Sequence, residues 1–545
     1  MESAKDRYVR FNKAKEKSSI WRAKLAPTYK LVFPYKNYFN TRGQAPNSTA
    51  VWDMTAVVAA HDFANNFQTI MLPPHHRWAN LTRGIMLTEE LEAMGGDIKG
   101  IDEKFQKMTE TVFQCINSSN FSLAIHEALL DFCVGTGVIL INETNDSSII
   151  DVHSVPIDDI CFEEGRFDNL ENFWRVQKLT KRQILRNWPE AELNERMGQE
   201  ENQDKEFELI EGSIYYPEKA DKEHDGKDPN AYYYYIQEQE SQKEIFHEWR
   251  DYCPFIGFRY SRSPGDPLGH GLAEFALSFI KVVNEIAELD LQALQFKTQS
   301  PYLYDPKKLQ INPSTFNLEP GTFFPVDLSS GAPSVMPFPL PNESRFSRLS
   351  IAELQKTIKD IFLSSWIDSN MRTPNMTATE VSIRQQEFTR RIGGAIGRFA
   401  QEFIKPFLTA CLKILRRKGK LPDLIDLGQY VVLKINNQFI NIEYDSPLAE
   451  LQKQHDVDTV LSFIAMNVQL FQGNAMLALN MPEIPMWLAN KKGVALELVN
   501  SPATIKKEFE NMKAALQKQE QPPEPQALPL QQPQIAQLHS IEVGR

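Results

Sequence analysis

The chain has 545 residues, of which 42% are hydrophobic, so it is long and apolar enough for roughly three or four domains with sizeable cores and is not a disordered protein. Its net charge of −12 argues against a protein that coats nucleic acid with basic surface. The five cysteines lie far apart, so we expect no disulfide framework and no structural metal. Neither a signal peptide nor a long apolar run occurs, so we expect a soluble protein made in a cytoplasm, with no membrane contact.

The first 30 residues carry nine Lys or Arg against three acidic residues. A solvated helix face is the ordinary explanation of such a segment, and contact with an acidic partner or with nucleic acid is the functional alternative. Residues 50–72 and 103–134 then have helical patterns, and the first ends at Leu72-Pro73-Pro74. A strand is predicted after Gly135 and Gly137, and residues 150–265 are rich in strand patterns.

The most distinctive feature is a pair of helix patterns separated by a proline-rich tip. The first runs from Leu268 to about Gln299, with Pro267 fitting a helix start, and nine prolines follow up to Pro341. Roughly 30 residues at about 1.5 Å each predict a rod of about 45 Å. The second pattern runs from about Glu343 to Ile367, and a capping box at Ser350 offers a later start.

Apolar residues on both rods recur at steps of three and four, the pattern of a helix packed against nearly parallel neighbours. An ordinary helical hairpin inside a core is the alternative explanation. The packing positions are Phe275, Phe279, Val282, Ile286 and Leu289 on the first rod and Ile351, Leu354, Ile358 and Ile361 on the second.

A polar segment with a central proline, Asp368 to Thr377, follows the second rod and predicts a loop. A third long helix is predicted from about Thr377 to Lys418, weakened by three glycines and kinked by Pro406. It carries Arg384, Arg390, Arg391 and Arg398. Strands near 430–443 and helices over 448–516 precede a Gln- and Pro-rich tail at 517–545.

Enzyme motifs are absent from the sequence. It contains no GxxxxGK[ST], no HExxH and no GxSxG. His75 and His76 are adjacent on a predicted loop and therefore point in different directions, which disfavours a metal pair. We predict no catalytic residue, no cofactor and no metal.

Several short motifs, in order, give the chain a resemblance to a known family. Phe258-Arg-Tyr-Ser-Arg262 with Gly269-His-Gly271 leads into the first rod, and Thr377-Ala-Thr-Glu-Val381 opens the long helix. Phe403-Ile-Lys-Pro-Phe407 is similar to the kinked end of that helix, and Trp52 to Leu72 is similar to an early helix before a proline stretch. Over residues 25–450 the chain resembles the portal proteins (head-to-tail connectors) of short-tailed bacteriophages.

The resemblance implies an α+β fold, mainly α, assembled as a ring of about twelve subunits. The implied parts are a wing (1–266), a first stem helix (267–299), a clip (300–342), a second stem helix (343–367), a channel loop (368–377), a long kinked helix with wing strands (378–449), a helical crown (450–516) and the tail (517–545).

The implied function is a structural portal ring at one capsid vertex of the virion, made in the host bacterial cytoplasm. The ring would conduct double-stranded DNA during packaging and ejection. Its implied partners are further copies of the chain, the terminase large subunit, tail adaptor and tail proteins, and the major capsid and scaffolding proteins. The residues expected to face DNA are Asn370, Met371, Arg372, Asn375, Arg384 and Arg391.

Two alternatives from other classes stay open at this point. One is a helical scaffold or adaptor unrelated to phage, and the other is an enzyme of unfamiliar type. An enzyme would show a compact cleft with convergent titratable groups.

Overall fold

A computed structural model shows a mixture of α-helices and antiparallel β-strands, which agrees with the predicted α+β class. The residues that it describes are 2–36, 51–84, 98–144, 148–166, 169–198, 204–220, 231–298, 302–304, 335–337, 345–364, 390–421, 440–444, 447–471, 480, 483–492, 499–500 and 504–508. The chain divides into two units, 1–449 and 450–545.

The helices are α1 (Ala4–Val32), α2 (Thr55–Met71), α3 (Ile98–Ser118), α4 (Phe121–Val134), α5 (Lys181–Asn187), α6 (Glu195–Gly198), α7 (Pro217–Ala220), α8 (Leu272–Thr298), α9 (Arg345–Ile361), α10 (Gly393–Phe399), α11 (Lys405–Arg417), α12 (Pro447–Phe471) and α13 (Ile484–Lys492). The strands are β1 (Ala79–Arg83), β2 (Thr136–Glu143), β3 (Ile150–Ser154), β4 (Ile160–Glu164), β5 (Leu170–Thr180), β6 (Glu206–Tyr215), β7 (Tyr232–Glu238), β8 (Glu244–Arg250), β9 (Phe255–Arg259), β10 (Tyr302–Tyr304), β11 (Val335–Pro337) and β12 (Ile440–Tyr444).

The β-rich region predicted at 150–265 forms most of two antiparallel sheets. Strands β4 to β8 make a five-stranded sheet in chain order, and β3, β2 and β9 make a three-stranded sheet with β2 in the centre. Helix α1 begins at a capping box formed by Ser3 and Asp6 and packs on the larger sheet through Phe11 and Ala14. Helices α2 and α4 pack beside the smaller sheet, so the main core lies between sheet and helices.

The hairpin of two long helices is present, with corrected ends. Helix α8 begins at Leu272, four residues later than predicted, so Pro267 does not lie at its start. The cause is a close approach of backbones: a Cβ on Gly269 or Gly271 would lie 2.3 Å from the carbonyl oxygen of Gly135 or Cys133 respectively. The chain therefore passes this point in an extended bridge, and the helix starts only beyond it.

The second helix of the hairpin also differs from its prediction. Helix α9 runs from Arg345 to Ile361, so the capping box at Ser350 does not start it. It ends before Ile367 because Leu363 adopts a left-handed backbone with φ of 58°. The N–H groups of Leu363 and Ser364 then bond back to the carbonyls of Asp360 and Lys359, a Schellman end. Within the predicted clip, β10 and β11 pair antiparallel.

The helix predicted to end near Lys418 is described from Arg390 onward. It consists of α10, a π turn at Ala400–Ile404 and α11, and it ends at Arg417. Pro406 lies two residues after the π turn, where its missing N–H is accommodated. Its upstream part, including the predicted channel loop, lies outside the described residues.

Two further features complete the description. Strand β1, which the sequence pattern did not predict, pairs antiparallel with β12, more than 350 residues away in the chain. The described residues beyond 449 are mostly helical, in α12, α13 and a turn at 504–508, in agreement with the helices predicted over 448–516.

Candidate assembly face and channel helix

The long-helix hairpin buries one face of each helix in its own chain. On α8 the buried face consists of small or branched residues: Ala273, Ala276, Ile280 and Val283. The two alanines allow α8 to lie close to its neighbours α1 and α4. The start of α2 joins the hairpin, because the Trp52 N–H donates to Asn284 Oδ1 at 2.7 Å.

The opposite face of α8 is apolar and exposed. Phe275 is 52% exposed and Leu289 is 56% exposed, although both are large hydrophobic residues. Most of the packing positions predicted for this helix lie here, so they are not the face that packs within the chain. The exposed large hydrophobics of α8 are Phe275, Phe279, Val282, Leu289, Leu291 and Leu294, and Ile286 is half-buried. At about 100° per residue Phe275, Phe279, Val282 and Leu289 lie opposite the buried face, and we call these four residues the α8 outer face. Leu291 and Leu294 lie beyond Val283 on the side of the buried face.

The packing positions predicted for the second helix lie against the chain's own core. Ile358 is fully buried, and Ile351, Leu354 and Ile361 are half-buried beside it. The hairpin is thus asymmetric: α9 gives its apolar residues to the core, while α8 leaves a second apolar face in water. Packing of either set between subunits stays a prediction.

The residues predicted to face DNA are mostly outside the described part of the chain, namely Asn370, Met371, Arg372, Asn375 and Arg384. Arg391 is described, and it is exposed beside Arg390 just before α10. Arg398, one turn into α10, is half-buried and lies 3.5 Å from the Glu402 carboxylate. The basic helix therefore divides into an exposed upstream pair and a downstream arginine that pairs within the chain.

The downstream part of this helix is fixed by aromatic rings and by one buried ion pair. Phe399, Phe403 and Phe407 form a column, with centroids 4.7 and 5.4 Å apart, and Phe258 of β9 packs against it at 4.9 Å from Phe403. Arg259, only 1% exposed, donates to Glu402 at 2.8 Å from both its backbone N–H and Nη2. Sequence reasoning missed this pair, since its members are separated by 143 residues and the only signal is an arginine in a buried strand.

The basic N-terminal segment is neither a fully solvated face nor free for an external acidic partner along its whole length. Arg7 is buried, pairs with Glu244 and lies over the rings of Tyr233 and Tyr235 at 4.8 and 5.0 Å. Arg10 pairs with Glu163 of β4. Part of the acidic partner is therefore the chain's own five-stranded sheet.

A charged junction ties α1 to the start of α8. Lys24 lies 2.9 Å from Glu274, and the two ring nitrogens of His270 lie 2.7 Å from Glu274 and 3.0 Å from Asp266. Burial by itself raises the pKa of Glu274, but hydrogen bonds from Lys24 and His270, together with their charges, outweigh it, so the pKa is lowered. The Glu274 carboxylate is therefore held in its ionised form at the root of the hairpin.

A cleft of about 1010 Å³ lies between the two sheets, and it tests the enzyme alternative. Most of its charged groups pair with one another: Arg417 lies 3.3 Å from Glu143, and Arg250 lies 3.0 Å from Glu248. Burial raises the pKa of Tyr252 in its wall to about 12, which disfavours a role in proton transfer near neutral pH. Among the described residues no group of His, Cys, Asp and Glu has the arrangement of a metal site.

An exposed apolar helix face on an α+β body, together with a cleft of mutually paired charges, is typical of a structural subunit. The family model for the bacteriophage head to tail connecting protein matches residues 5–499, nearly the whole chain. The chain therefore belongs to the bacteriophage head-to-tail connector family, the portal proteins. This agrees with the resemblance seen in the sequence. It disfavours both alternatives, the cellular scaffold and the enzyme of unfamiliar type.

The family places the protein in the virion and associates it with capsid and tail components. It is a family of structural rather than catalytic proteins. A search of curated proteins gave no match. Within the described part of the chain, no helix is both long and apolar enough to cross a membrane.

Proposed function

We propose that the chain assembles into a closed ring of about twelve subunits at one capsid vertex and conducts double-stranded DNA through the ring. The observation that carries this proposal is the α8 outer face, four large hydrophobic residues exposed on a helix whose opposite face is buried. These residues recur about once per helical turn. The helix is about 40 Å long, which is enough for a side-by-side contact with a neighbouring subunit.

The difference between the two helices supports a contact between unlike faces. Because the apolar residues of α9 pack in its own core, α9 of a second copy offers no apolar face, and in this proposal another surface of the next subunit covers the α8 outer face. A heterologous contact, in which one face of a subunit meets a different face of the next, generates a ring when the rotation closes. The number of subunits comes from the family resemblance.

DNA passage is supported by the charge of the chain. Tight binding to phosphates would hold the DNA, since each neutralised phosphate adds affinity through counterion release. A net charge of −12 over the whole chain meets the need for passage. In this proposal Arg372, Arg384 and Arg391 touch phosphates transiently, and ion pairing of Arg390 and Arg391 with a neighbouring subunit is an equally supported role.

The remaining assignments follow the family order of parts. Residues 300–342 are the clip, which receives the terminase large subunit during packaging and tail adaptor proteins afterwards. Residues 267–299 and 343–367 are the stem, 368–377 the channel loop, 450–516 the crown, and the rest of 1–449 the wing and the long helix. The outer surface meets the major capsid and scaffolding proteins. Prolines in the clip reduce the entropy lost when a docking surface is ordered.

Negative-stain electron microscopy of the purified full-length chain tests the proposal. We expect ring-shaped class averages with a central channel. Monomers or dimers at every protein and salt concentration tried would refute it. The same averages give the subunit number.

The channel loop is tested separately. Deletion of residues 368–377, or Arg372→Ala, should leave rings intact and reduce the DNA content of assembled particles. Lys243→Ala, on an exposed turn between β7 and β8, is the matched control for loss of a surface cation. Rings that fail to assemble after the deletion would make this loop a structural element instead.

A further inference from the structure

The π turn at Ala400–Ile404 joins helices α10 and α11, and a turn at Ile392 precedes α10. The Lys405 N–H donates to the carbonyl oxygen of Ala400, five residues back instead of four. The turn therefore holds one residue more than an α-helical turn. It lies between the exposed Arg390 and Arg391 upstream and the buried α11 downstream.

The extra residue aligns the phenylalanine column. In a regular α-helix each residue advances by about 100°, so Phe399 and Phe407 would lie about 80° apart around the axis. One additional residue in the turn absorbs about 100° and brings the rings back to nearly the same side. The observed rings are stacked, with interplanar angles of 24° between Phe399 and Phe403 and 12° between Phe403 and Phe407.

One residue of the turn is held from outside the helix. Glu402 accepts hydrogen bonds from Arg259 of β9, and the guanidinium lies 3.6 Å from a second carboxylate, Glu164 of β4. Arg259 also donates to the carbonyl of Pro267, in the segment that leads to α8. Because Arg259 is fully buried, loss of Glu402 would leave its charge poorly compensated.

We propose that the π turn sets the direction in which the upstream end of the helix faces, and that Arg259 and Glu402 are positioning residues that hold the turn. Relaxation to an α-helical turn, with α11 fixed and no residue removed, takes Phe399 out of the column, rotates residues 390 and 391 by about 100° and shifts them by about 1.5 Å. The upstream helix has room to turn, since an added Cβ on Gly393, Gly394 or Gly397 meets no described atom within 4 Å.

The consequence for DNA rests on the proposed function. If Arg391 faces the channel, the π turn selects that orientation, and the α-helical register points Arg391 elsewhere. The geometry of the turn itself is independent of that assumption. The two parts can therefore be tested separately.

The geometric part is tested by Glu402→Ala, which removes the carboxylate that Arg259 holds. Two controls accompany it: Gln401→Ala removes an exposed side chain, and deletion of Gln401 removes the extra residue but leaves Phe399 and Phe407 on nearly the same side of a regular helix. Nitroxide labels are placed at Arg391→Cys and at the exposed Leu123→Cys of α4, with Cys115 and Cys253 replaced by serine and labelled chains diluted in unlabelled ones. Pulsed electron resonance then measures the distance between the labels.

We expect Glu402→Ala to add a second distance population in which the label at position 391 is displaced by about 8 Å, from a rotation of about 100° at a helix radius of about 5–6 Å. Gln401→Ala and the deletion of Gln401 should both keep the single distance of the parent chain. Glu402→Gln, a second variant in case Glu402→Ala does not fold, should add the same second population. A single, unchanged distance in every folded variant would overturn the proposal.

The functional part uses phage that carry the same substitutions without labels. We expect Glu402→Ala to give rings whose particles lose DNA towards the level of Arg391→Ala particles, while particles with Gln401→Ala or with Gln401 deleted retain it. Normal DNA content in Glu402→Ala particles would refute the link to the channel. Failure of the parent chain to form rings would refute the proposed function and leave the label distances valid.

Discussion

Replacement of the α8 outer face by polar residues should separate the stability of the subunit from the stability of the ring. The double substitution Phe279→Ser/Leu289→Ser changes two side chains that are 36% and 56% exposed. Neither belongs to the buried face of α8, so we expect the isolated chain to change its free energy of unfolding by less than about 1 kcal/mol.

The expected effect on assembly follows from the area still in water. Complete burial of a Phe or Leu side chain contributes about 1.5–3 kcal/mol, and roughly half of each side chain is left for a partner to cover. The pair therefore contributes about 2 kcal/mol to each subunit contact, which corresponds to about 30-fold in its dissociation constant. Since every contact of a closed ring is weakened alike, the threshold concentration for ring formation should rise steeply.

Mass photometry over a protein concentration series measures ring formation, and thermal unfolding of the dilute chain measures subunit stability. Leu123→Ser is the matched control, because Leu123 is 74% exposed on α4, away from the hairpin. Rings that form at the parent concentration after the double substitution would refute the assignment of this face. A large loss of subunit stability would show that these residues serve the chain's own core.

Three further predictions concern the folded chain, each read by thermal or denaturant unfolding. Gly271→Ala should destabilise it by about 2–3 kcal/mol, because the added Cβ would lie 2.3 Å from the carbonyl oxygen of Cys133, and a neutral result would mean that the backbones separate easily. Gly397→Ala should stabilise it by about 0.5–1 kcal/mol, since it lies in a helix with open space beside it, and destabilisation would contradict that packing. Burial and the nearby His61 lower the pKa of His126, so its contribution is complete above about pH 6.5 and is lost as pH falls towards the lowered pKa. His126→Gln should flatten the stability profile just below about pH 6.5, and an unchanged slope would assign the acid loss elsewhere.

The α1 arginines show how net charge and local charge differ. A segment with nine cations reads as a basic arm, yet Arg7 and Arg10 are neutralised by Glu244 and Glu163 of the same chain. Part of the acidic excess of the protein therefore neutralises cations of its own N-terminal helix. Charge runs in sequence predict a partner of opposite sign, and the fold decides whether that partner is internal.

Local periodicity was sufficient to predict the main helices and several strands. The steps of three and four along α8, the glycines before β2 and the prolines after α2 each act on neighbouring residues, and each gave an element of the right type. Motif order and the absence of catalytic motifs led to the connector family, which the family comparison confirms. These properties depend on short stretches of chain, so the sequence alone determines them.

Periodicity did not decide which apolar face of α8 is buried within the chain. Both faces carry hydrophobic residues, and only the close fit of Ala273 and Ala276 against neighbouring helices selects one of them. The same holds for Leu363, whose left-handed backbone ends α9 without the glycine that usually marks such an end. Where two local conformations or two helix faces are both acceptable, packing against distant residues decides between them. A local sequence pattern carries no information about that packing.

The pairing of Arg259 with Glu402 and of β1 with β12 joins residues separated by more than 140 positions. Nothing in either local sequence specifies its partner, because buried charges and strand edges accept any complementary group that the fold brings near. The sequence by itself therefore determined the family, the α+β class and the helical hairpin. Tertiary structure alone decided the exposed face of α8 and the buried ion pair, since both depend on contacts between distant parts of the chain.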